Sequence, residues 1–285
     1  MSNTFLSPIV IEPLVRAALC EDLGRAGDIT TNALVPDGSD AETALVARQD
    51  GVIAGIDAAL LAFRLMDGSI DATVLQPDGN GVSAGETIAR ICGPAKAILS
   101  AERVALNFLC HLSGIATATA SLVYAVRGYR ARICCTRKTT PGLRGLEKYA
   151  VRVGGGLNHR FGLDDAVLIK DNHVAIAGGI RPAVERVRAV IGHLVKVEVE
   201  VDTLDQLKEV LKLNVDAVLL DNMSVDDLRR AVVMVDRRIV TEASGGVTRE
   251  SAPLIAASGV DLISVGWLTH SAVALDIGLD HLGRV

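Results

Sequence analysis

The second half of the chain alternates short apolar runs with segments of helical pattern. The runs are rich in Val, Ile and Leu and occupy residues 131–135, 166–169, 195–201, 216–220, 237–240 and 260–265. Two of the intervening segments, from Thr203 and Ser224, open with a hydroxyl residue followed by acids, which is typical of a helix N-terminus. Six strand–helix units in series predict a parallel α/β barrel. An open doubly wound sheet stays as the alternative, because one sequence does not give the strand order.

Each apolar run ends in, or is followed by, charged, hydroxyl or glycine residues. In chain order these are Arg137, Lys138, Lys170, Glu200, Asp221, Glu242, Ser244, Ser264 and Gly266. A single charge after a strand is usually a solvated loop residue, but polar groups after every strand are hard to explain in that way. The carboxyl ends of all strands in a barrel open on the same face, so we expect these side chains to converge there.

The first part of the chain has a different pattern. Residues 43–55 and 71–99 contain short strand-like runs separated by Asp-Gly and Gly-Asn turns, which predict a second domain of α+β character. Residues 100–128 then have the pattern of a long helix, or of a helix pair, that leads into the barrel.

Composition excludes several classes of function. The formal net charge is -5 and only 3% of the residues are aromatic, so we expect no nucleic-acid partner. The five cysteines form no Cys-x-x-Cys pair, which argues against a disulfide framework and against a zinc site. The first residues show no leader pattern, and no apolar run suggests a membrane span. We therefore expect a cytoplasmic protein that contacts no membrane.

Positive charge is concentrated between residues 137 and 170. The basic side chains there are Arg137, Lys138, Arg144, Lys148, Arg152, His159, Arg160 and Lys170. Arg and Lys donors hold carboxylates and phosphates, and the small residues after the last two apolar runs suit a backbone phosphate site. Glu200 and Asp221 would bind sugar hydroxyls, a divalent metal or a developing cation. The pattern predicts a phosphorylated sugar and an acidic co-substrate.

Two acids on one predicted strand receive different roles. Glu198 and Glu200 face the same side of the strand, but Glu198 lies deeper in the barrel. We place Glu200 in the site and expect Glu198 to pair with a lysine, either Lys196 or Lys170. The glycines at 154–156 predict the end of a helix, because they lack the sequence context of a phosphate-binding loop.

Two other functions fit parts of this pattern. A Schiff-base lyase would use Lys170 as its nucleophile, which requires a lysine of depressed pKa in an apolar pocket, and the many cations fit that only partly. A non-catalytic anion-binding or transport-associated protein would bind a phosphorylated ligand without turnover.

Long motifs in the chain resemble those of the quinolinate phosphoribosyltransferases. They are EDLGRAGDITT, ERVALNFLCHLSGIAT, TRKTTPGLRGLEKYAVRVGGGLNHRFGL, AVLIKDNHV, VEVEVDTLDQL, LLDNMS, EASGG and LISVGWLTHSAVALDIGL, which begin at Glu21 and end at Leu279. The resemblance covers nearly the whole chain, from about Glu12 to Leu279. The resemblance implies transfer of phosphoribosyl from phosphoribosyl pyrophosphate to quinolinate with Mg²⁺. The products would be nicotinate mononucleotide for NAD biosynthesis, CO₂ and pyrophosphate. A group of molybdenum-transport-associated proteins shares the family fold, and the motifs TTPGLRGLEKYAV and GLNHR favour the transferase.

The resemblance also implies roles for individual residues. Quinolinate would contact Arg103, Thr136, Arg137, Lys138, His159 and Arg160. The ribose and the metal–pyrophosphate group would face Lys170, Glu200 and Asp221, and the two acids would hold Mg²⁺. The 5-phosphate would bind Ser244, Gly245 and Gly246 and the backbone of Val265, Gly266 and Trp267. The catalytic set would be Lys138, Lys170, Glu200 and Asp221.

The family fold is an N-terminal open-faced α/β sandwich domain plus an incomplete, six-stranded parallel α/β barrel. Here it implies a first domain of residues 1–112, to which the tail 271–285 returns, and a barrel domain of residues 113–270. The family site is shared across a homodimer, so Arg48 would reach the partner's pocket, and the sequence leaves dimer and hexamer open. Two departures from the family are Cys135, where Asp is usual, and the bulky Trp267 after the phosphate-loop glycine.

Overall fold

The structure, a computed structural model, describes residues 6–283, which form two compact units. The first contains the chain up to Ala120, the segment Pro141–Gly155 and the chain from Ser271 onward; the second contains Ser121–Thr140 and Gly156–His270. The implied domains differ from this division mainly at residues 141–155. That segment folds with the first unit because Glu147 bonds to His111 and Tyr149 bonds to Asp78.

The elements alternate regularly in the second half of the chain. The helices are α1 (Pro8–Leu23), α2 (Ile29–Leu34), α3 (Ile56–Met66), α4 (Ala95–Ala125), α5 (Arg144–Val153), α6 (Asp171–Ala177), α7 (Ile180–Val190), α8 (Leu204–Val210), α9 (Val225–Val235) and α10 (Ala252–Ala256). The strands are β1 (Asp40–Ala47), β2 (Gly51–Val52), β3 (Asp71–Val74), β4 (Gly81–Val82), β5 (Thr87–Pro94), β6 (Arg132–Cys134), β7 (Val167–Ile169), β8 (Val197–Val201), β9 (Ala217–Asp221), β10 (Val240–Ser244), β11 (Leu262–Ser264) and β12 (Ile277–Gly283). A short 3-10 turn, Trp267–Thr269, follows β11.

The first unit contains a four-stranded antiparallel sheet in the order β12-β1-β5-β3. Strand β1 is buried along most of its length, and α3 buries Ala59, Ala62 and Phe63. The C-terminal strand β12 pairs with β1, with Leu279 opposite Leu45, so the tail supplies an edge strand of this sheet. This antiparallel sheet with helices is the α/β architecture expected of the N-terminal region.

Helix α4, of 31 residues, is the longest in the described chain. Its most apolar window has a mean hydropathy of 1.4, so the helix is long and apolar enough to cross a membrane by length and composition only. Half of the window is buried within the protein. A buried core helix passes the same test, which makes this a weak indication of a membrane span.

The second unit is built on six parallel strands in the order β6-β11-β10-β9-β8-β7. This confirms the predicted series of parallel strands and the incomplete barrel. Within the described chain β6 and β7 are the two ends of the sheet. Leu157 continues the ladder beside β6, because its N–H donates to the carbonyl of Ile133 and its own carbonyl accepts from Cys135.

Aspartates at the start of two strands fix the beginning of the neighbouring strand. Asp216, before β9, accepts the N–H of Val197 at 2.9 Å, and Asp261, before β11, accepts the N–H of Thr241 at 2.9 Å. Burial alone would raise the pKa of Asp216, but the bonds from Lys196, Val197 and Arg188 lower it to about 2. These two acids therefore stabilise the amino ends of the strands, at the opposite end from the strand-end residues of the candidate site.

Gly154 offers a test of packing in the first unit. It ends α5, as the glycine triplet predicted, with φ near -72°, and an added Cβ would lie 2.4 Å from the carbonyl oxygen of Ala116 and 2.7 Å from Cβ of Thr119. Gly154→Ala should therefore lower the free energy of unfolding by about 1–3 kcal/mol through overpacking. Equilibrium urea unfolding measures the change. Gly68→Ala, which meets no atom within 4 Å, is the control and should change it little; equal losses in both variants would contradict this account.

Candidate functional site

The register of the parallel strands puts the polar residues in rows on one side of the sheet. Glu200, Leu219 and Glu242 are ladder partners across β8, β9 and β10, and Asp221 pairs with Ser244 two residues nearer the carboxyl ends. Side chains alternate along a strand, so the valines of β8 point the opposite way and are buried. Glu200, Asp221, Glu242 and Ser244 thus share one side of the sheet.

The basic loop after β6 is held against the turn after β11. The backbone N–H of Lys138 donates to Oγ1 of Thr136 at 3.0 Å, and the hydroxyl of Thr269 donates to the carbonyl of Lys138 at 2.8 Å. A Cβ on Gly266 would lie 3.0 Å from Cδ of Lys138, so the lysine side chain crosses directly over that glycine. Upstream, the thiol of Cys135 donates to Oδ1 of Asn158 at 3.4 Å. The glycine leaves room for the side chain of Lys138.

Lys170 and Glu200 lie at the ends of neighbouring strands and form an ion pair. The distance between Nζ of Lys170 and Oε2 of Glu200 is 2.8 Å, and the lysine side chain is 48% exposed whereas that of Glu200 is 12% exposed. The ring of His173 accepts the backbone N–H of Lys170 and so fixes the start of α6. A half-exposed, ion-paired lysine is not the desolvated amine that a Schiff-base lyase requires.

The glycines after β10 form a tight loop beside the end of β9. Gly245 has a φ of +102°, and a Cβ there would lie 2.1 Å from Oδ1 of Asn222, so only glycine fits without a shift. The N–H of Asn222 donates to the carbonyl of Ser244 at 2.9 Å. The indole N–H of Trp267 donates to the carbonyl of Val247 at 2.8 Å. The bulky Trp267 thus ties the loop after β11 to the loop after β10.

Arg160 lies close to Arg137 in the segment between β6 and β7. Its Nη1 donates to the carbonyl of Ala166 at 2.8 Å, and its Nε is buried with no hydrogen-bond partner in the described chain. Burial lowers the pKa of Arg160, and the positive charge of Arg137 lowers it further. Two forked cations therefore lie near each other with donor capacity left on Arg160, which suits an anionic ligand.

A histidine and two carboxylates form a cluster on the inner side of the barrel sheet. Nε2 of His159 is 3.0 Å from Oε2 of Glu198 and 3.7 Å from Oε1 of Glu242. Glu242 is 2% exposed, and its Oε1 has no hydrogen-bond partner in the described residues. Burial, and then repulsion by Glu198, raise the pKa of Glu242 to about 7. The carboxyl at Glu242 is therefore largely protonated below neutral pH.

The cluster corrects one expectation about Glu198. Its partner is His159, whereas Lys196 pairs with Asp216 and Lys170 pairs with Glu200. The sequence shows Glu242 as a polar residue near a strand end but gives it no role. Its neighbour His159 lies on a segment between strands, so their proximity depends on the tertiary structure. The alternation of acidic and valine residues in β8 was the available signal for Glu198.

Two sets of side chains could hold a metal. The ligand atoms of His159, Glu198 and Glu242 all lie within 4.8 Å of one another. Glu200 and Asp221 offer carboxylate oxygens, the hard ligands that Mg²⁺ takes, although Lys170 bonds to the first and the amide of Asn222 bonds to the second at 2.7 Å.

Arg48 and Arg103 belong to the first unit. Arg48 follows β1, and its Nη1 donates to Oδ2 of Asp280 at 3.0 Å in β12. Arg103 is exposed on α4.

Comparison with known proteins identifies relatives along almost the whole chain. Models for the quinolinate phosphoribosyl transferase N-terminal and C-terminal domains match residues 28–113 and 115–280. The carboxylating nicotinate-nucleotide pyrophosphorylase of Mycobacterium leprae is 48% identical over 271 residues, which cover 93% of this chain and 95% of that protein. The chloroplastic carboxylating enzyme of Arabidopsis thaliana is 42% identical in an alignment of 287 positions, which covers 94% of this chain and 82% of that protein. The solved nicotinate-nucleotide pyrophosphorylase of Francisella tularensis is 39% identical, covers 98% of both chains and has a TM-score of 0.93.

Glu242 predicts a stability that falls as the pH rises. Its folded-state pKa of about 7 exceeds the ordinary 4.5, so between these values the folded state holds a proton that the unfolded state has lost. Each unit of pH in this window then removes up to about 1.4 kcal/mol from the free energy of unfolding. The contribution is complete below pH 4.5 and is lost as the pH rises through about 7.

Glu242→Gln should remove this part of the pH dependence, because glutamine keeps the size of the side chain and does not titrate. Urea unfolding at pH 5 and pH 8 compares wild type with the variant. The free energy of unfolding of the variant minus that of wild type should be about 2–3 kcal/mol larger at pH 8 than at pH 5. A difference between the two proteins that is the same at both pH values would contradict the raised pKa.

Proposed function

Because this chain belongs to the quinolinate phosphoribosyltransferase family, we propose roles for its site residues in the reaction of that family. The enzyme transfers phosphoribosyl from phosphoribosyl pyrophosphate to quinolinate with decarboxylation, giving nicotinate mononucleotide, CO₂ and pyrophosphate in NAD biosynthesis. The match to both domain models carries this conclusion. Pyrophosphate release that requires both substrates is the direct assay; ligand binding without turnover would instead favour a non-catalytic anion-binding protein.

The cations near the ends of β6 and β7 bind the two carboxylates of quinolinate. Arg137 and Arg160 lie close enough for their charges to oppose each other, and a dianion between them would relieve that repulsion. Lys138 is exposed, and its backbone is fixed by Thr136 and Thr269. Arg103 and Thr136 complete the proposed set. The forked donors of a guanidinium match the planar carboxylates of quinolinate better than the point charge of an ammonium group does.

The loops after β10 and β11 bind the 5-phosphate of the sugar. Gly245 and Gly246 both have positive φ, so their backbone turns tightly after Ser244 and a phosphate can approach closely. The backbone from Val265 to Trp267 forms the second part of this proposed site. The bond from Trp267 to Val247 keeps the two loops together.

The ribose lies against Glu200 and Asp221. Departure of pyrophosphate gives C1 of the ribose oxocarbenium character, and nearby carboxylates stabilise such a charge. Lys170 pairs with Glu200 in the free protein, and this supports a role for its amine in binding the pyrophosphate leaving group. The reaction separates a cationic ribose from an anionic pyrophosphate. Negative charge from Glu200 and Asp221 and positive charge from Lys170 are thus both offered to it.

Glu200 and Asp221 also fit Mg²⁺. Each accepts a side-chain hydrogen bond with one carboxylate oxygen and can offer the other to a hard cation. Mg²⁺ is usually bound by one or two carboxylates together with substrate phosphates, and when bound it would supply Lewis-acid neutralisation of pyrophosphate charge. The protein residues then hold and orient the sugar, while the positive pyridinium nitrogen assists loss of the 2-carboxylate.

We further propose that the enzyme is a cytoplasmic homodimer or hexamer in which Arg48 completes the partner's pocket. In the isolated chain Arg48 pairs with Asp280, a pair that is partly exposed on both sides. Exposed pairs of this kind contribute little to stability, so Arg48 can exchange Asp280 for another anion at small cost.

Arg137→Ala and Arg160→Ala should each weaken quinolinate binding without unfolding the protein. The loss of one charge-assisted carboxylate contact costs about 1.5–3 kcal/mol. Isothermal calorimetry measures the affinity, and Arg132→Ala, at the exposed amino end of β6, is the matched control. Unchanged affinity in Arg137→Ala or Arg160→Ala would exclude that residue from the carboxylate site.

Glu200→Gln and Asp221→Asn should lower kcat by on the order of 10² or more, because the amides keep the size of the side chains but lose the charge that favours the transition state. Quinolinate affinity should change little, since it depends on the cations. Steady-state kinetics with both substrates varied measures the two effects. Asp226→Asn on α9 is an exposed control, and an equal fall of kcat there would argue for a general effect of charge.

Mixing two inactive variants tests Arg48. Each site is proposed to take Lys138 from one subunit and Arg48 from the other. A hybrid dimer of an Arg48→Ala chain and a Lys138→Ala chain should then contain one intact site, and activity should partly return. Mass spectrometry confirms subunit exchange. Exchange without recovered activity would mean that Arg48 acts within its own subunit or has no role in the site.

A further inference from the structure

Both ring nitrogens of His159 are engaged inside the second unit. The backbone N–H of Arg160 donates to Nδ1 at 2.8 Å, and Nε2 lies 3.0 Å from Oε2 of Glu198. A backbone N–H can only donate, so Nδ1 is an acceptor and the proton of the neutral ring is on Nε2. His159 therefore donates to Glu198. The side chain is 13% exposed, which limits its access to a ligand.

Glu198 is linked to Arg160 in two ways. Through His159 it is connected to the backbone N–H of Arg160, and its negative charge acts on the guanidinium directly, opposing the repulsion from Arg137. Within residues 6–283 the guanidinium itself has one hydrogen bond, from Nη1 to the carbonyl of Ala166. A guanidinium on a long, flexible side chain is oriented better when the backbone that carries it is fixed and a counter-charge lies nearby.

We infer that Glu198 is a positioning residue for substrate binding: through His159 it fixes the backbone of Arg160, so that the guanidinium meets a quinolinate carboxylate. His159 transmits this contact. The inference rests on the proposed function, in which Arg160 binds quinolinate.

The same geometry argues against a metal ion in this cluster. A histidine that ligates a metal through Nε2 normally carries its proton on Nδ1 and donates it to an acceptor. Here Nδ1 faces a donor, the N–H of Arg160, so ligation through Nε2 would require loss of the remaining ring proton. Glu198 is thus a hydrogen-bond acceptor for His159.

Glu198→Ala and Glu198→Gln provide the test, because the carbonyl oxygen of glutamine can still accept from Nε2 of His159. We expect Glu198→Ala to raise the calorimetric Kd of quinolinate by about tenfold while the KM of phosphoribosyl pyrophosphate and kcat change little. Glu198→Gln should restore the Kd to within about threefold of wild type. Asp216→Asn is the control for a structural carboxylate; it should lower the thermal stability and leave the Kd unchanged.

A double-variant cycle separates the inference from the proposed function. If Glu198 acts through Arg160, then Glu198→Ala should have no further effect on the Kd in an Arg160→Ala background. Independent, multiplying effects would overturn the inference and leave the function intact. An Arg160→Ala variant with normal affinity would instead overturn the proposed role of Arg160.

His159→Asn repeats the test if Glu198→Ala does not fold, because Oδ1 of asparagine can replace Nδ1 as acceptor while the link to Glu198 is lost. Its effect on the Kd should equal that of Glu198→Ala and should also vanish in the Arg160→Ala background. A loss that persists in that background would show that His159 contacts the substrate. A rise in the unfolding temperature with Zn²⁺ or Mn²⁺ that Glu242→Gln abolishes would show a metal site and overturn the inference.

Discussion

The backbone ladder that joins the parallel strands β8, β9 and β10 is the constraint on which the site depends. It sets Glu200, Leu219 and Glu242 side by side and puts Asp221 beside Ser244. A slip of one residue would turn the carboxylates toward the side where the valines of β8 are buried, and ionised groups in an apolar layer cost several kcal/mol unless they are paired. Packing of the valines therefore also fixes the chemistry on the opposite side of the strand.

Charges of like sign are grouped in this unit, and each group changes the ionisation of its members. Arg137 lowers the pKa of Arg160, and Glu198 raises the pKa of Glu242. A set of cations that repel one another is ready to take up a dianion, because the ligand removes a repulsion that the free protein carries. The negative charge of Glu198 opposes the effect of Arg137 on Arg160. The cations repel one another and so do the acids, but each group offsets part of the repulsion within the other.

The sequence predicted the strands and most strand-end residues because both depend on local patterns. Apolar runs give the strands, and their carboxyl ends give Lys170, Glu200 and Asp221 without any knowledge of strand order. It did not predict the partner of Glu198, because His159 lies on a segment that passes between β6 and β7, and its contact depends on tertiary structure. It also missed that residues 141–155 join the first unit, since the bonds from Tyr149 and Glu147 reach residues far away in the sequence.

The close approach of Lys138 to Gly266 couples two positions that lie in different loops. A side chain at 266 would occupy the space that Cδ of the lysine now fills. A chain that acquired alanine there would displace the lysine side chain by a few tenths of an ångström. The choice of residue at 266 therefore sets where the amine at 138 lies, and larger residues at 266 should be accompanied by a different residue at 138 among related sequences.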